Sequence, residues 1–140
     1  MFWKRWIQVG WALTVLMGVF MADAAAVGPG AIDFATRMLF GGTDPGIVTA
    51  GTRFAWGIGG GVCLGWAVMG FVLTRHAWEQ AWARRAILWS GLAWLSADSM
   101  ASVMVGAPLN AIVNAVFFGA CFGLPLYMSR ATSPEAQPAA

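Results

Sequence analysis

Four long apolar segments constrain this chain more than any other feature. They cover residues 6–26, 47–73, 86–104 and 108–128. Each is near or above the roughly 20 residues that a helix needs to cross the hydrocarbon core of a bilayer. Their apolar residues run continuously, which argues against the two-residue alternation of a membrane β-strand. The sequence therefore predicts an all-α, polytopic membrane protein whose single domain, residues 1–130, is a four-helix transmembrane bundle.

Composition supports the same class. Of the 140 residues, 59% are hydrophobic and 10% are charged. Soluble domains carry about 25% charged residues, so this chain could not cover a water-facing surface. The 18 glycines and 9 tryptophans suit helices that pack closely and rings that anchor at the membrane interface. The small net charge of +2 argues against nucleic acid as a partner.

Basic residues predict the orientation of the segments. They precede the first segment, lie between the second and third, and follow the fourth: Lys4, Arg5, Arg75, Arg84, Arg85 and Arg130. The connection between the third and fourth segments has no charge. Because Lys and Arg collect on the cytoplasmic side, both termini are predicted to be cytoplasmic.

Two stretches outside the apolar core carry predictions of their own. Residues 31–40, between glycine- and proline-containing breaks, predict a short helix in the outer interface, with Asp33 and Arg37 paired across one turn. Residues 131–140 predict a disordered cytoplasmic tail. The first segment also resembles a secretory signal peptide, with Lys4-Arg5 before it and Ala22-Asp23-Ala24 near its end, so a retained helix and a cleaved signal both stay open.

A polar layer is predicted near the outer ends of the segments. Counting along each segment brings one polar side chain from each of them to a similar depth: Asp23, Arg53, Asp98 and Asn114. Opposite charges offset each other's desolvation, so Arg53 is predicted to pair with Asp98, and Asn114 to complete their polar contacts. The layer either fixes the helix register or forms a polar binding or proton site.

A second pattern predicts how the helices pack. Gly57, Gly61 and Gly65 follow one another at intervals of four residues. Small residues at this spacing let two backbones approach closely in a membrane. They are predicted to form a packing ridge, and Gly61→Leu is predicted to disturb packing more than Gly70→Leu.

The sequence predicts no catalytic, cofactor or metal site. His76 is the only histidine and lies at the end of the second segment, and the two cysteines, Cys63 and Cys121, belong to no Cys-x-x-Cys motif. Helical haem and metal sites usually need two or more inward-facing ligands. The chain is therefore predicted not to be an enzyme.

Three stretches carry a resemblance to a known group. RMLFGG, TRFAWGIGGGVCLGW and DSMASVMVGAPLN look like parts of four-helix bacterial inner-membrane proteins of the DoxX-like type, over residues 37–126. The resemblance implies a four-helix bundle in a bacterial inner membrane, in a group whose members mostly lack an assigned activity.

These observations lead to two functional hypotheses. The first is a non-catalytic accessory or assembly subunit of a larger membrane complex, in contact with lipid and with other membrane subunits or further copies of itself. The alternative is a small transporter or channel-like protein that uses the outer-leaflet polar layer.

Overall fold

The computed structural model describes residues 1–40, 42 and 48–131, and these residues are helical with no strand among them. The helices are α1 (Phe2–Val27), α2 (Pro29–Leu39), α3 (Ala50–His76), α4 (Ala81–Met104), α5 (Pro108–Phe118) and α6 (Leu124–Ala131), with a π-helical turn, Gly119–Gly123, joining the last two. The predicted all-α class is thus confirmed. The predicted start of the second segment at Ile47 and all but the first residue of the predicted tail lie outside the described residues.

Among the described residues, three stretches are long and apolar enough to cross a membrane, which marks the chain as a membrane protein. They are α1, α3 and the α5–α6 stretch, Pro108–Ser129. Helix α4 has 24 residues but carries three charged side chains and is not among them. The fourth span therefore stays a prediction. So does the interfacial position of α2, although a helix is present close to the predicted residues.

Helices α1 and α3 run antiparallel and form the closest contact in the fold. A Cβ added to Gly18 would lie 2.8 Å from the backbone nitrogen of Leu64 and 2.9 Å from the carbonyl oxygen of Gly60. A Cβ added to Gly60 would lie 2.7 Å from the backbone nitrogen of Ala22. No larger residue fits at either glycine unless the two backbones separate.

Trp11 forms the centre of the core. Its side chain is 1% exposed, its ring lies against Gly70, and its Nε1 donates to Thr74 Oγ1 over 2.9 Å. The rings of Trp66 and Phe122 contact it with centroid separations of 5.1 and 4.5 Å. A buried indole needs an acceptor for its N–H, and Thr74 supplies one, so Trp11 joins α1, α3 and the π-helical turn without an unpaired donor.

The π-helical turn follows from Pro125. A proline has no backbone N–H and clashes with the carbonyl four residues earlier, so an α-helical ladder is interrupted there. The N–H of Leu124 donates instead to the carbonyl of Gly119, five residues back. The next such bond, to Ala120 O, would need the N–H that proline lacks. Trp6 Nε1 donates to Ala120 O over 2.9 Å and satisfies it.

The predicted glycine ridge is wrong for packing within this chain. A Cβ at Gly61 or Gly65 would meet no atom within 4 Å, and one at Gly57 would meet only the Cβ of Ala25, at 3.6 Å. In a helix of 3.6 residues per turn, residues four positions apart point about 40° apart around the axis. A row with this spacing therefore winds away from a neighbouring helix. Residues spaced by seven stay closer to one line, and the buried face of α3 follows that spacing at Gly60, Ala67 and Thr74.

Candidate functional site

Asp98 lies on α4 with its carboxylate turned toward α5. The side-chain amides of Asn110 and Asn114 both donate to Asp98 Oδ2, the first over 3.1 Å. Asn114 is 8% exposed, and Asp98 is half-buried. The predicted contact between Asn114 and Asp98 is therefore confirmed. Sequence reasoning missed Asn110, although its position four residues before Asn114 places both amides on one face of α5.

A tight turn brings these residues together. Helix α4 ends at Met104 and α5 begins at Pro108, a residue type suited to the first turn of a helix because its missing N–H needs no partner there. Gly106 lies between them with a φ of +83°, a conformation that side-chain-bearing residues rarely adopt. The turn folds α5 back along α4, so the first two turns of α5 lie beside Asp98.

Ser102 completes the polar cluster. Its Oγ donates to the carbonyl oxygen of Asp98 over 2.7 Å and accepts from Asn110 Nδ2 over 2.8 Å. The neighbouring hydroxyl of Ser99 is buried and has no hydrogen-bond partner among the described residues. We call Asp98, Ser102, Asn110 and Asn114, which these hydrogen bonds join, the Asp98 cluster.

Arg53 does not belong to this cluster, and its predicted ion pair with Asp98 is wrong. Its Nε and Nη2 donate to the carbonyl oxygen of Ala25 over 3.0 and 2.8 Å, and Nη2 also donates to that of Ala26 over 3.1 Å. The last carbonyls of a helix lack intrahelical partners and carry partial negative charge, so a guanidinium is stabilised there. The close packing of α1 on α3 places that helix end within reach of Arg53.

Asp23 is also outside the cluster. Its side chain is exposed on α1, next to the buried Ala24. The four predicted polar residues therefore do not form one layer: Asp98 and Asn114 are together, Arg53 caps α1, and Asp23 faces outward. The remaining predicted pair, Arg37 with Asp33, is confirmed at 2.9 Å and is the only ion pair among the described residues.

A second cap mirrors that of Arg53 at the other end of the α1–α3 pair. Lys4 Nζ, near the start of α1, donates to the carbonyl oxygen of Arg75 over 3.0 Å, near the end of α3. Each helix of the pair thus supplies a cation from its first two turns to the carbonyl end of the other. Sequence reasoning used Lys4 only for orientation and assigned Arg53 to a pair with Asp98, so it missed both caps.

The chemistry available to the Asp98 cluster is that of hydrogen bonding and cation binding, because it offers carboxylate, amide and hydroxyl oxygens. In the part of the chain that the structure describes, no three His, Cys, Asp or Glu side chains come together as metal ligands. No protein-family model, curated protein or solved structure matches the chain.

Proposed function

We propose that this chain is a non-catalytic accessory or assembly subunit of a membrane complex in a bacterial inner membrane, with both termini cytoplasmic. In this proposal α4 is a fourth span, which completes the four-helix bundle that the DoxX-like resemblance implies. Its 24 residues would extend about 36 Å at the helical rise. Arg84 and Arg85 lie in its first two turns, where long side chains can reach an interface, and Asp98 is hydrogen-bonded within the chain.

The observation that carries the proposal is an open face on α3. Its six residues are all exposed and alternate at intervals of four and three: Phe54, Ile58, Gly61, Gly65, Val68 and Val72. This is the seven-residue period of helices that pack along a common seam. The buried residues of α3 lie on the other side of the helix, so the chain's own helices leave this face uncovered.

The two glycines favour a protein helix over lipid as the neighbour of this face. Lipid tails are as apolar as leucine, so a lipid-facing position gains nothing from glycine. Each glycine within a helix costs about 1 kcal/mol relative to alanine. Close approach of another helix offsets that cost through van der Waals contact, and a Cβ at Gly61 or Gly65 would meet nothing in this chain within 4 Å.

Neighbouring glycines allow a matched test. Gly61→Leu should leave the unfolding temperature in mild detergent close to that of the original chain, because its side chain enters open space. If the partner is another subunit, the substitution should abolish its co-purification. If the partner is a second copy of this chain, the native mass should fall to that of the single chain. Gly60→Leu should instead destabilise the chain itself, by several kcal/mol, because it separates α1 from α3.

Ala55→Leu is the control for added bulk, since Ala55 is exposed on α3 but lies off the open face. It should leave both the stability and the native mass unchanged. If Gly61→Leu and Ala55→Leu have the same native mass and the same co-purifying proteins as the original chain, the open face is not an assembly surface and the proposal fails.

A small transporter or channel-like protein is the second candidate. The observation that favours it is the Asp98 cluster, since an ionisable side chain at membrane depth usually belongs to a substrate or ion pathway. Of the four residues in the predicted polar layer, only Asp98 and Asn114 lie together. It therefore depends on whether the cluster binds an ion.

A further inference from the structure

The carboxylate of Asp98 lacks a compensating charge. Among the described residues no Lys, Arg or His nitrogen lies within 4.0 Å of it, and its side-chain donors, Asn110 and Asn114, are neutral amides. Asp98 lies six residues before Met104, or about 9 Å along the axis from the end of α4. A charged group at membrane depth that has no partner is costly, so a positive charge is expected beside it.

Three oxygen atoms of the Asp98 cluster accept no hydrogen bond from the described residues. Both amides donate to Asp98 Oδ2, which leaves Asp98 Oδ1 and the two amide oxygens without a donor among the described residues. An amide's oxygen and nitrogen share one carbon, so each amide oxygen lies within a few ångströms of the nitrogen that donates to the carboxylate, and rotation of the amide would turn it toward Asp98.

We propose that the Asp98 cluster binds a monovalent cation of the Na⁺ class. Carboxylate, amide and hydroxyl oxygens are the ligands that hard cations prefer. One carboxylate neutralises one positive charge, whereas a divalent ion would leave a net charge in a medium of low dielectric. The cation would also link α4 to α5 across their turn. The membrane depth of Asp98 rests on the proposed crossing of α4, but the site does not involve the open face of α3, so sodium binding and assembly can each fail without the other.

Access to the cluster is consistent with this role. Asp98 is half-buried rather than enclosed, and the cluster lies near the turn between α4 and α5. Helix α2 contacts both α1 and α5 and lies at the same end of the fold. The carboxylate of Asp98 is therefore not enclosed by the apolar core around Trp11.

Equilibrium dialysis with ²²Na⁺ tests the site directly. The purified full chain in detergent, with choline chloride as the background salt, should bind sodium saturably at one ion per chain. Asp98→Asn should abolish this binding, because it removes the charge but keeps an oxygen for the amides to contact. Asp23→Asn is the control: it removes an exposed carboxylate on α1 and should leave sodium binding unchanged.

A stability measurement covers the case in which Asp98→Asn folds poorly. Sodium bound only by the folded chain should raise its unfolding temperature as NaCl replaces choline chloride at constant ionic strength. Asn110→Leu, which removes one amide ligand, should raise the Kd for sodium about tenfold. Absence of saturable sodium binding by the original chain, or full binding by Asp98→Asn, would overturn the proposal.

Discussion

Arg53 shows how a single charged residue in an apolar chain can be stabilised without an opposite charge. Its guanidinium makes three hydrogen bonds to the carbonyl oxygens of Ala25 and Ala26. A cation at the carbonyl end of a helix is stabilised by about 0.3–1 kcal/mol when exposed and by up to about 2 kcal/mol when partly buried. Because Arg53 is satisfied in this way, it does not depend on Asp98.

A double-mutant cycle tests this independence. Arg53→Met and Asp98→Leu share no hydrogen-bond partner, so their effects on the free energy of unfolding should add to within about 0.5 kcal/mol. Unfolding in mixed micelles, followed by tryptophan fluorescence, gives the four free energies. If the double variant were more stable than the single variants predict by several kcal/mol, the two charges would be paired after all.

At the scale of the element, the α5–α6 stretch shows that a proline within a helix needs help from another helix. Pro125 leaves the carbonyl of Ala120 without a backbone donor, and Trp6 of α1 supplies the missing N–H. Nearby, a Cβ added to Gly10 would lie 3.0 Å from the Cβ of Cys121, so the glycine lets α1 approach closely enough for this bond. The π-helical turn therefore depends on Trp6, because the indole donates to the carbonyl that Pro125 leaves without a backbone donor.

Trp6 and Pro125 should therefore be energetically coupled. Trp6→Phe should destabilise the chain by about 1–3 kcal/mol, because it leaves the Ala120 carbonyl unpaired. In a Pro125→Ala background a backbone N–H becomes available for that carbonyl, so the same change should cost less. Thermal unfolding of the four variants measures the difference.

Trp89→Phe provides the control for loss of an indole, since Trp89 is 67% exposed. It should have a small effect that is the same in both backgrounds. An equal cost of Trp6→Phe with and without Pro125 would show that the tryptophan does not compensate for the proline.

At the scale of the whole molecule, opposite caps hold the antiparallel α1–α3 pair at both ends. Arg53 caps the end of α1, and Lys4 caps the end of α3. At the end that holds Lys4, Arg84 also donates to the carbonyl oxygen of Trp78 over 2.8 Å, which ties α4 to the loop before it. Lys4 and Arg84, two of the basic residues that predict the cytoplasmic side, thus also donate hydrogen bonds to carbonyl oxygens at that end of the fold.

The proposed topology is tested by labelling either end of α4. In a chain with Cys63→Ala and Cys121→Ala, Glu79→Cys should react with a membrane-impermeant thiol reagent only from the cytoplasmic side. Val105→Cys, at a position that is 66% exposed, should react only from the outside. Reaction of both from one side would show that α4 does not cross the membrane.

The Asp98 cluster shows how much of a site the sequence can predict. Asp98 and Asn114 lie on either side of a short break at Gly106. Two helices joined by so short a turn pack side by side, so the contact between these residues could be predicted. Arg53 is 45 positions from Asp98 on another helix. An estimate of membrane depth does not determine the direction in which a side chain points, so the predicted ion pair between Arg53 and Asp98 was wrong.

The all-helical class, the approximate positions of the helices and the capacity of three stretches to cross a membrane could be predicted from the sequence, because these depend on continuous apolar length and on local breaks at glycine and proline. The rotation of each helix about its own axis, in contrast, is visible only in the folded chain. Successive residues of a helix point about 100° apart around its axis, so Gly60 is buried against α1 while Gly61 is open. That rotation is set by packing between helices distant in sequence, which no local pattern records.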